Sequence, residues 1–290
     1  MPKARRPFGA RLRAAMDRRG QLCVGVDPHP ELLAGWGLND DAAGLERFSL
    51  TVLDAVQDYA AALKPQVALF ERHGSAGLAV LERLLAACAE AQMLSIADAK
   101  RGDIGSTMAA YADAWLRDGS ALAADAVTLS PYLGFESLRP ALDLARANGR
   151  GVFVLALTSN PEGASVQHAG GGAGQSVAAQ VVQAAAAENA AGAGDGGADS
   201  LGSVGLVVGA TVGAGVLAEL GIDLAASGAP LLTPGLGAQG ATAADLHRTF
   251  AGAWPNVLAT SSRGILKAGP EPRLLRDAAA RTAGELAAEG

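Results

Sequence analysis

Short apolar runs alternate with helical patterns along the whole chain, and few folds accommodate that rhythm. The runs Leu22–Asp27, Ala61–Val67, Met93–Lys100, Ala126–Ser130, Gly151–Thr158, Val204–Thr211, Pro230–Thr233 and Asn256–Ser262 are four to eight residues long. They are mostly apolar, as strands buried on both faces must be, and proline, glycine or charge stops them. Between them apolar residues recur at three and four positions, as in Leu45, Phe48, Val52 and Val56, which is the helical period. Eight such units predict an α/β fold, a (β/α)8 TIM barrel, as a single domain over residues 1–290. An open doubly wound sheet is the alternative. Its Gly-x-Gly-x-x-Gly turn is missing after the first strand, where Gly25 leads instead into Asp27-Pro28-His29-Pro30.

Ahead of the first strand, Phe8, Leu12 and Met16 mark an amphipathic helix rather than the apolar core of a signal sequence. Hydrophobic residues make up 50% of the chain, yet no uncharged apolar stretch reaches membrane-spanning length, so a cytoplasmic protein without a membrane partner is expected. A net charge of -6 argues against a nucleic acid polymer as partner, since its phosphates need clustered cations. Cys23 and Cys88, like His29, His73, His168 and His247, have no metal-ligand spacing, and no metal is expected. Two Gly/Ala-rich segments, near 163–175 and 192–202, are expected to be flexible. The first follows a strand and belongs at the active-site end of a barrel, as a lid or as plain disorder; the second follows a helix and belongs at the opposite end.

Charge enters the strands only at their ends. In Ile96-Ala-Asp98-Ala-Lys100-Arg-Gly-Asp103, strand alternation points Ile96, Asp98 and Lys100 the same way, and Gly102 then turns the chain. Lysine is sparse, occurring only at positions 3, 64, 100 and 267, so a lysine inside an apolar strand stands out. In a barrel one mouth receives Asp27, Lys64, Asp98, Lys100, Thr158, Ser159, Pro234, Gln239 and Arg263. Alternating Asp27, Lys64, Asp98 and Lys100 form either a structural ion network or a site in which opposite neighbours keep all four ionised. Buried pairs stabilise poorly compared with apolar packing, which favours the site. Pro234-Gly-Leu-Gly237 and Ser262-Arg263-Gly264 end the seventh and eighth strands, where barrels hold phosphate with backbone N–H groups, a helix N-terminus and here an arginine fork. A phosphorylated small molecule is the expected ligand. Arg101 should point away from its neighbours, toward a subunit interface.

Asp98-Ala-Lys100-Arg-Gly-Asp103 resembles the Asp-x-Lys-x-x-Asp motif of the orotidine 5′-phosphate decarboxylases. The likeness runs through Val24-Gly-Val-Asp-Pro28, Leu63-Lys-Pro-Gln66, Ser130-Pro-Tyr-Leu-Gly134, Leu157-Thr-Ser-Asn160, Val208-Gly-Ala-Thr211, Thr233-Pro-Gly-Leu-Gly-Ala-Gln239 and Ser262-Arg-Gly264. The whole set looks like the longer bacterial branch of that family (type 2), from which the enlarged Gly163–Gly202 region departs. The resemblance implies cofactor-free decarboxylation of orotidine 5′-monophosphate to uridine 5′-monophosphate (UMP) in de novo pyrimidine biosynthesis. It makes Lys100 the donor of a proton to C6, places Asp98 near the departing carboxylate, and gives Asp27 and Lys64 the ribose hydroxyls. It assigns Ser159 and Pro234 to the base and Gln239 and Arg263 to the phosphate. It also sends Asp103 and Thr107 into a neighbouring subunit's site, so that the active unit is a homodimer.

Three alternatives stay open at this stage. A magnesium-dependent sugar-phosphate decarboxylase shares the motif core, although Lys64 stands where a metal site would prefer a carboxylate. A Schiff-base aldolase would need a lowered lysine pKa, which adjacent aspartates oppose. A catalytically silent nucleotide-binding barrel would have no use for the intact Asp98, Lys100 and Asp103.

Overall fold

The computed structural model describes residues 5–170, 175–192, 201–237 and 240–290. Eight parallel strands close into a barrel in sequence order. They are β1 (Leu22–Val26), β2 (Ala62–Pro65), β3 (Leu94–Arg101), β4 (Ala126–Leu129), β5 (Gly151–Leu157), β6 (Val204–Val208), β7 (Leu231–Pro234) and β8 (Val257–Ser261). Closure is direct, because β1 pairs with both β2 and β8. Each strand lies inside or within one residue of its expected run, and the residues trimmed from the C-terminal ends of most of them belong to the mouth.

Successive strand residues serve two cores. One set faces outward against the ring of helices, as Val24, Leu63, Val127 and Val154 do beside Leu45, Val52 and Leu84. The other fills the barrel with Cys23, Ala62, Ile96, Ala126, Phe153 and Leu258, and it continues into Phe8, Leu12, Ala15 and Met16. Those four lie on the helix Phe8–Arg19. That helix floors the barrel at the strands' N-terminal ends. Arg11 donates to Asp125 at 2.5 Å and to the Gly149 carbonyl at 2.8 Å, Arg13 donates to the Pro255 carbonyl at 2.6 Å, and Phe8 meets Phe153 edge-on. With the floor closed, access is from the C-terminal mouth.

Local signals start the surrounding helices. Asp41 accepts the Gly44 N–H to cap Ala42–Val56, and Thr242 and Asp245 form a reciprocal capping box on Ala243–Phe250. Two short helices, Pro30–Gly35 and Ala68–Glu71, are additions to the predicted pattern. In the first Gly/Ala-rich segment, Pro161–Gly163 and Ala164–Gln167 are helical turns, and the Gln167 amide clasps Thr158 through both main chain and side chain. Residues 171–174 and 193–200 lie outside the described residues. Just past the second segment, Ser203 accepts the Gly9 N–H at the floor. Among the described residues no helix is long and apolar enough to cross a membrane.

One irregularity matters for the site. On β3 the four steps from Ala97 to Arg101 oppose only two on β4, from Val127 to Leu129. This bulge places Lys100 at φ 49°, in the left-handed region that non-glycine residues seldom occupy.

Candidate active site

Asp98 is the centre of the mouth. Its Oδ2 accepts Lys64 Nζ at 2.8 Å and Gln66 Nε2 at 3.3 Å, and its Oδ1 accepts Lys100 Nζ at 2.6 Å and Thr128 Oγ1 at 3.0 Å. Only 8% of Asp98 and 4% of Lys64 are exposed. Burial alone would push the Asp98 carboxyl up, but Lys64 and Lys100 outweigh it and hold the group ionised, well below the usual carboxylate range. Burial likewise favours neutral Lys64, and Asp98 and Asp27 overcome it, raising the ammonium above its ordinary value. The Lys100 side chain is 46% exposed, so of the two ammonium groups it is the one presented to a ligand.

Of the four expected charges, direct ion pairs join three, Lys64, Asp98 and Lys100, while Asp27 acts on Lys64 through its charge alone. Asp27 makes no ion pair among the described residues, and its buried Oδ1 has no hydrogen-bond partner there. Register gives the reason. Lys64 lies opposite Gly25 and reaches across to β3, whereas Asp27 follows the last residue of β1. Asp27 still lines the cavity.

That cavity has a volume of about 260 Å³ and is shared by Asp27, Lys64, Asp98, Lys100, Pro234 and Arg263. Its far wall is the turn after β7, where Gly235 and Gly237 take φ of 123° and 77°, conformations that favour glycine. Arg263 opens the turn of helix after β8 and is exposed. Gly25 permits the close approach of β1 to this end, since a Cβ there would collide with the Ser262 hydroxyl. Cationic Lys100 thus faces one part of the cavity, and a glycine-rich turn with an arginine faces another.

The remaining predicted residues lie elsewhere. Ser159 is exposed just past β5, packed close to Gly209. Asp103 does not line the cavity; its Oδ1 accepts the Ile104 N–H at 2.8 Å. Thr107 is exposed on the helix Gly105–Leu116. Gln239 lies outside the described residues. Arg101 is held within its own chain, paired with Glu71 and stacked over Tyr111 and Trp115. Sequence reasoning missed Gln66 and Thr128 as partners of Asp98. The signal for each is a polar side chain in or beside an apolar strand that ends at the mouth.

Comparison with known proteins finds relatives over nearly the whole chain. The sequence model of the orotidine 5′-phosphate decarboxylase / HUMPS family matches residues 20–278. A protein from Streptomyces coelicolor named orotidine 5′-phosphate decarboxylase is 58% identical over 280 residues, covering 97% of both chains. One of the same name from Salinispora arenicola is 57% identical over 274 residues, covering 94% of this chain and 95% of its own. A crystal structure described as orotidine 5′-phosphate decarboxylase from Streptomyces avermitilis superposes with a TM-score of 0.92 at 56% identity, covering 99% of this chain and 97% of its own. Fold and sequence therefore coincide, and the chain belongs to the orotidine 5′-phosphate decarboxylase / HUMPS family.

Proposed function

We propose that the protein decarboxylates orotidine 5′-monophosphate to UMP in pyrimidine biosynthesis, without a cofactor, as a cytoplasmic homodimer. The observation that carries this reading is the Lys64–Asp98–Lys100 chain, with its exposed ammonium on a cavity that also holds the β7 glycine turn and Arg263. The bond from C6 to the carboxylate breaks, carbon dioxide leaves, and the electron pair stays on C6. Lys100 gives that carbon an N–H proton and is recharged from solvent. A fixed cation beside the developing negative charge stabilises it without moving in the transition state. The departing carboxylate lies beside Asp98, so its loss removes a like-charge contact. Asp27 and Lys64 hold the ribose hydroxyls, Ser159 and Pro234 the base, and Gln239 and Arg263 the phosphate. A phosphate gripped away from the reacting carbon supplies binding energy that orders the loops around the base.

The homodimer reading rests on the rim. Ile104, Tyr132 and Leu133 are 62%, 79% and 53% exposed, and Asp103 and Thr107 do not line their own chain's cavity. A second copy covering that rim brings Asp103 and Thr107 to the partner's site.

The direct test is to mix purified protein with orotidine 5′-monophosphate and EDTA and follow the loss of pyrimidine absorbance. Turnover is expected to persist in the chelator. No turnover in any buffer would remove the assignment, and chelator-sensitive turnover would favour the magnesium-dependent alternative. Lys100→Ala is expected to lose about 100-fold or more of kcat, the scale of general acid catalysis, while still binding UMP. Near-normal kcat in that variant would overturn the role of Lys100.

A further inference from the structure

Thr128 stands behind the reacting lysine rather than in front of it. It is 1% exposed, on β4, and is not part of the cavity wall. Its Oγ1 accepts the Lys100 backbone N–H at 2.9 Å and donates to Asp98 Oδ1 at 3.0 Å. The same Oδ1 accepts Lys100 Nζ at 2.6 Å. One hydroxyl therefore closes a ring through both ends of Lys100, with Asp98 as the link. A hydroxyl has a single proton, so acceptance from the N–H leaves that proton for the carboxylate, and the directions of both bonds are fixed together. Threonine is stiff at χ1, which keeps the oxygen in place.

The backbone gives this ring its purpose. Gln92 and Lys100 are the non-glycine residues with positive φ among those described. Gln92 follows the end of the helix Gly74–Glu90, where a left-handed residue is ordinary. Lys100 has no helix end to account for it. It lies in the β3 bulge, directly across from the stretch of β4 that carries Thr128. A left-handed residue at a functional position persists only where its surroundings over-determine it.

We infer that Thr128 is the positioning residue for Lys100: its hydroxyl locks the bulge backbone and the Asp98 carboxylate into one unit that aims Nζ at the reacting carbon. This rests on the reading of Lys100 as proton donor. A misplacement of about 1 Å at a reacting group costs about 100-fold in rate, and the loss falls on the chemical step rather than on binding.

The test uses Thr128→Val, which replaces the hydroxyl by a methyl of similar size, and the pair Thr128→Ser and Thr128→Ala, which lose the same methyl and differ in the hydroxyl. Val and Ala are expected to lower kcat by about 100-fold with KM for orotidine 5′-monophosphate within about 3-fold of wild type, and Ser to stay within about 3-fold in both. Should Val not fold, as judged by circular dichroism and thermal melting, the Ser and Ala pair decides. Near-wild-type kcat in Val or Ala overturns the inference. So does a loss confined to KM, or an equal loss in Ser and Ala. Lys100→Ala, assayed alongside, separates the two readings. If it remains active, the proton-donor role fails; if it is inactive while Thr128→Val is normal, only the Thr128 inference fails. In a Lys100→Ala background, Thr128→Val is expected to change the residual rate by less than about 2-fold, because there is no ammonium left to aim.

Discussion

Asp98 carries more of the site's electrostatics than any other residue described, because it compensates a lysine that is itself removed from water. Lys64 is 4% exposed, and among the described residues Asp98 is the one carboxylate that forms a direct ion pair with it. Removing one partner of such a pair leaves an uncompensated buried charge, so Asp98→Asn is expected to destabilise the protein by about 3–5 kcal/mol in denaturant titration. The sign of the pH dependence follows from the two displacements. Asp98 titrates below its unfolded value, so its contribution is complete above about pH 4 and fades as pH falls through the lowered value. Lys64 titrates above its unfolded value, so its contribution is complete below about pH 10 and fades as pH rises through the raised value. Between those limits the pair adds no slope to stability. In Asp98→Asn the balance on Lys64 tips toward burial, which favours the neutral amine. The deficit relative to wild type is then expected to be largest near neutral pH and to narrow as pH approaches about 10. Melting temperatures of both proteins across that range check it, and a deficit independent of pH would mean that Lys64 stays fully charged without Asp98.

At the scale of elements, the barrel has a structural end and a chemical end, and they should respond separately to mutation. Phe8 is fully buried where the floor helix meets Phe153, and a Cβ on Gly151 would collide with its ring. Phe8→Ala is expected to cost about 3–5 kcal/mol, read by denaturant unfolding, while kcat measured well below the variant's melting temperature stays within about 2-fold of wild type. A large loss of kcat in folded Phe8→Ala would show that floor and mouth are coupled. The same division explains what could be read from the sequence. Strands such as Gly151–Leu157 are legible because a strand buried on both faces admits little but apolar residues. Asp98 and Lys100 do come together, Lys100 Nζ donating to Asp98 Oδ1, but through the β3 bulge rather than through regular strand alternation. What the sequence hides is set across strands. Gln66 and Thr128 reach Asp98 only through the placement of β2 and β4 beside β3, and a threonine in a strand reads as ordinary β-propensity. Asp27 makes no direct pair with Lys64 for a similar reason, because the β1–β2 register sets Lys64 opposite Gly25. Helices as short as Ala68–Glu71 span too few residues to show a period.

At the scale of the whole molecule, the mouth is lopsided. The loops after β3 and β4 are tied together where Ser130 N–H donates to the Arg101 carbonyl at 2.8 Å. Gly102 fits there because a Cβ would strike the Ser130 carbonyl. These two loops carry the exposed apolar side chains Ile104, Tyr132 and Leu133, while Asp103 and Thr107 stand outside the cavity of their own chain. Adjacent exposed apolar side chains of this size mark a contact surface. A two-fold dimer across the rim would place each chain's Asp103 against the other's cavity, because in such an interface every contact occurs twice. Complementation tests this without disturbing the fold. Lys100→Ala and Asp103→Ala are each expected to be nearly inactive as pure dimers. When the two are mixed and allowed to exchange subunits, half of the dimers are mixed. Each mixed dimer has one site that pairs an intact Lys100 with an intact Asp103 from the other chain. Activity should then rise to about a quarter of wild type. Sedimentation of Ile104→Asp/Tyr132→Asp is expected to show monomers, which neither turn over substrate nor take part in complementation. No recovery on mixing, with exchange verified by differently tagged chains, would place Asp103 in its own subunit's chemistry and remove the shared site.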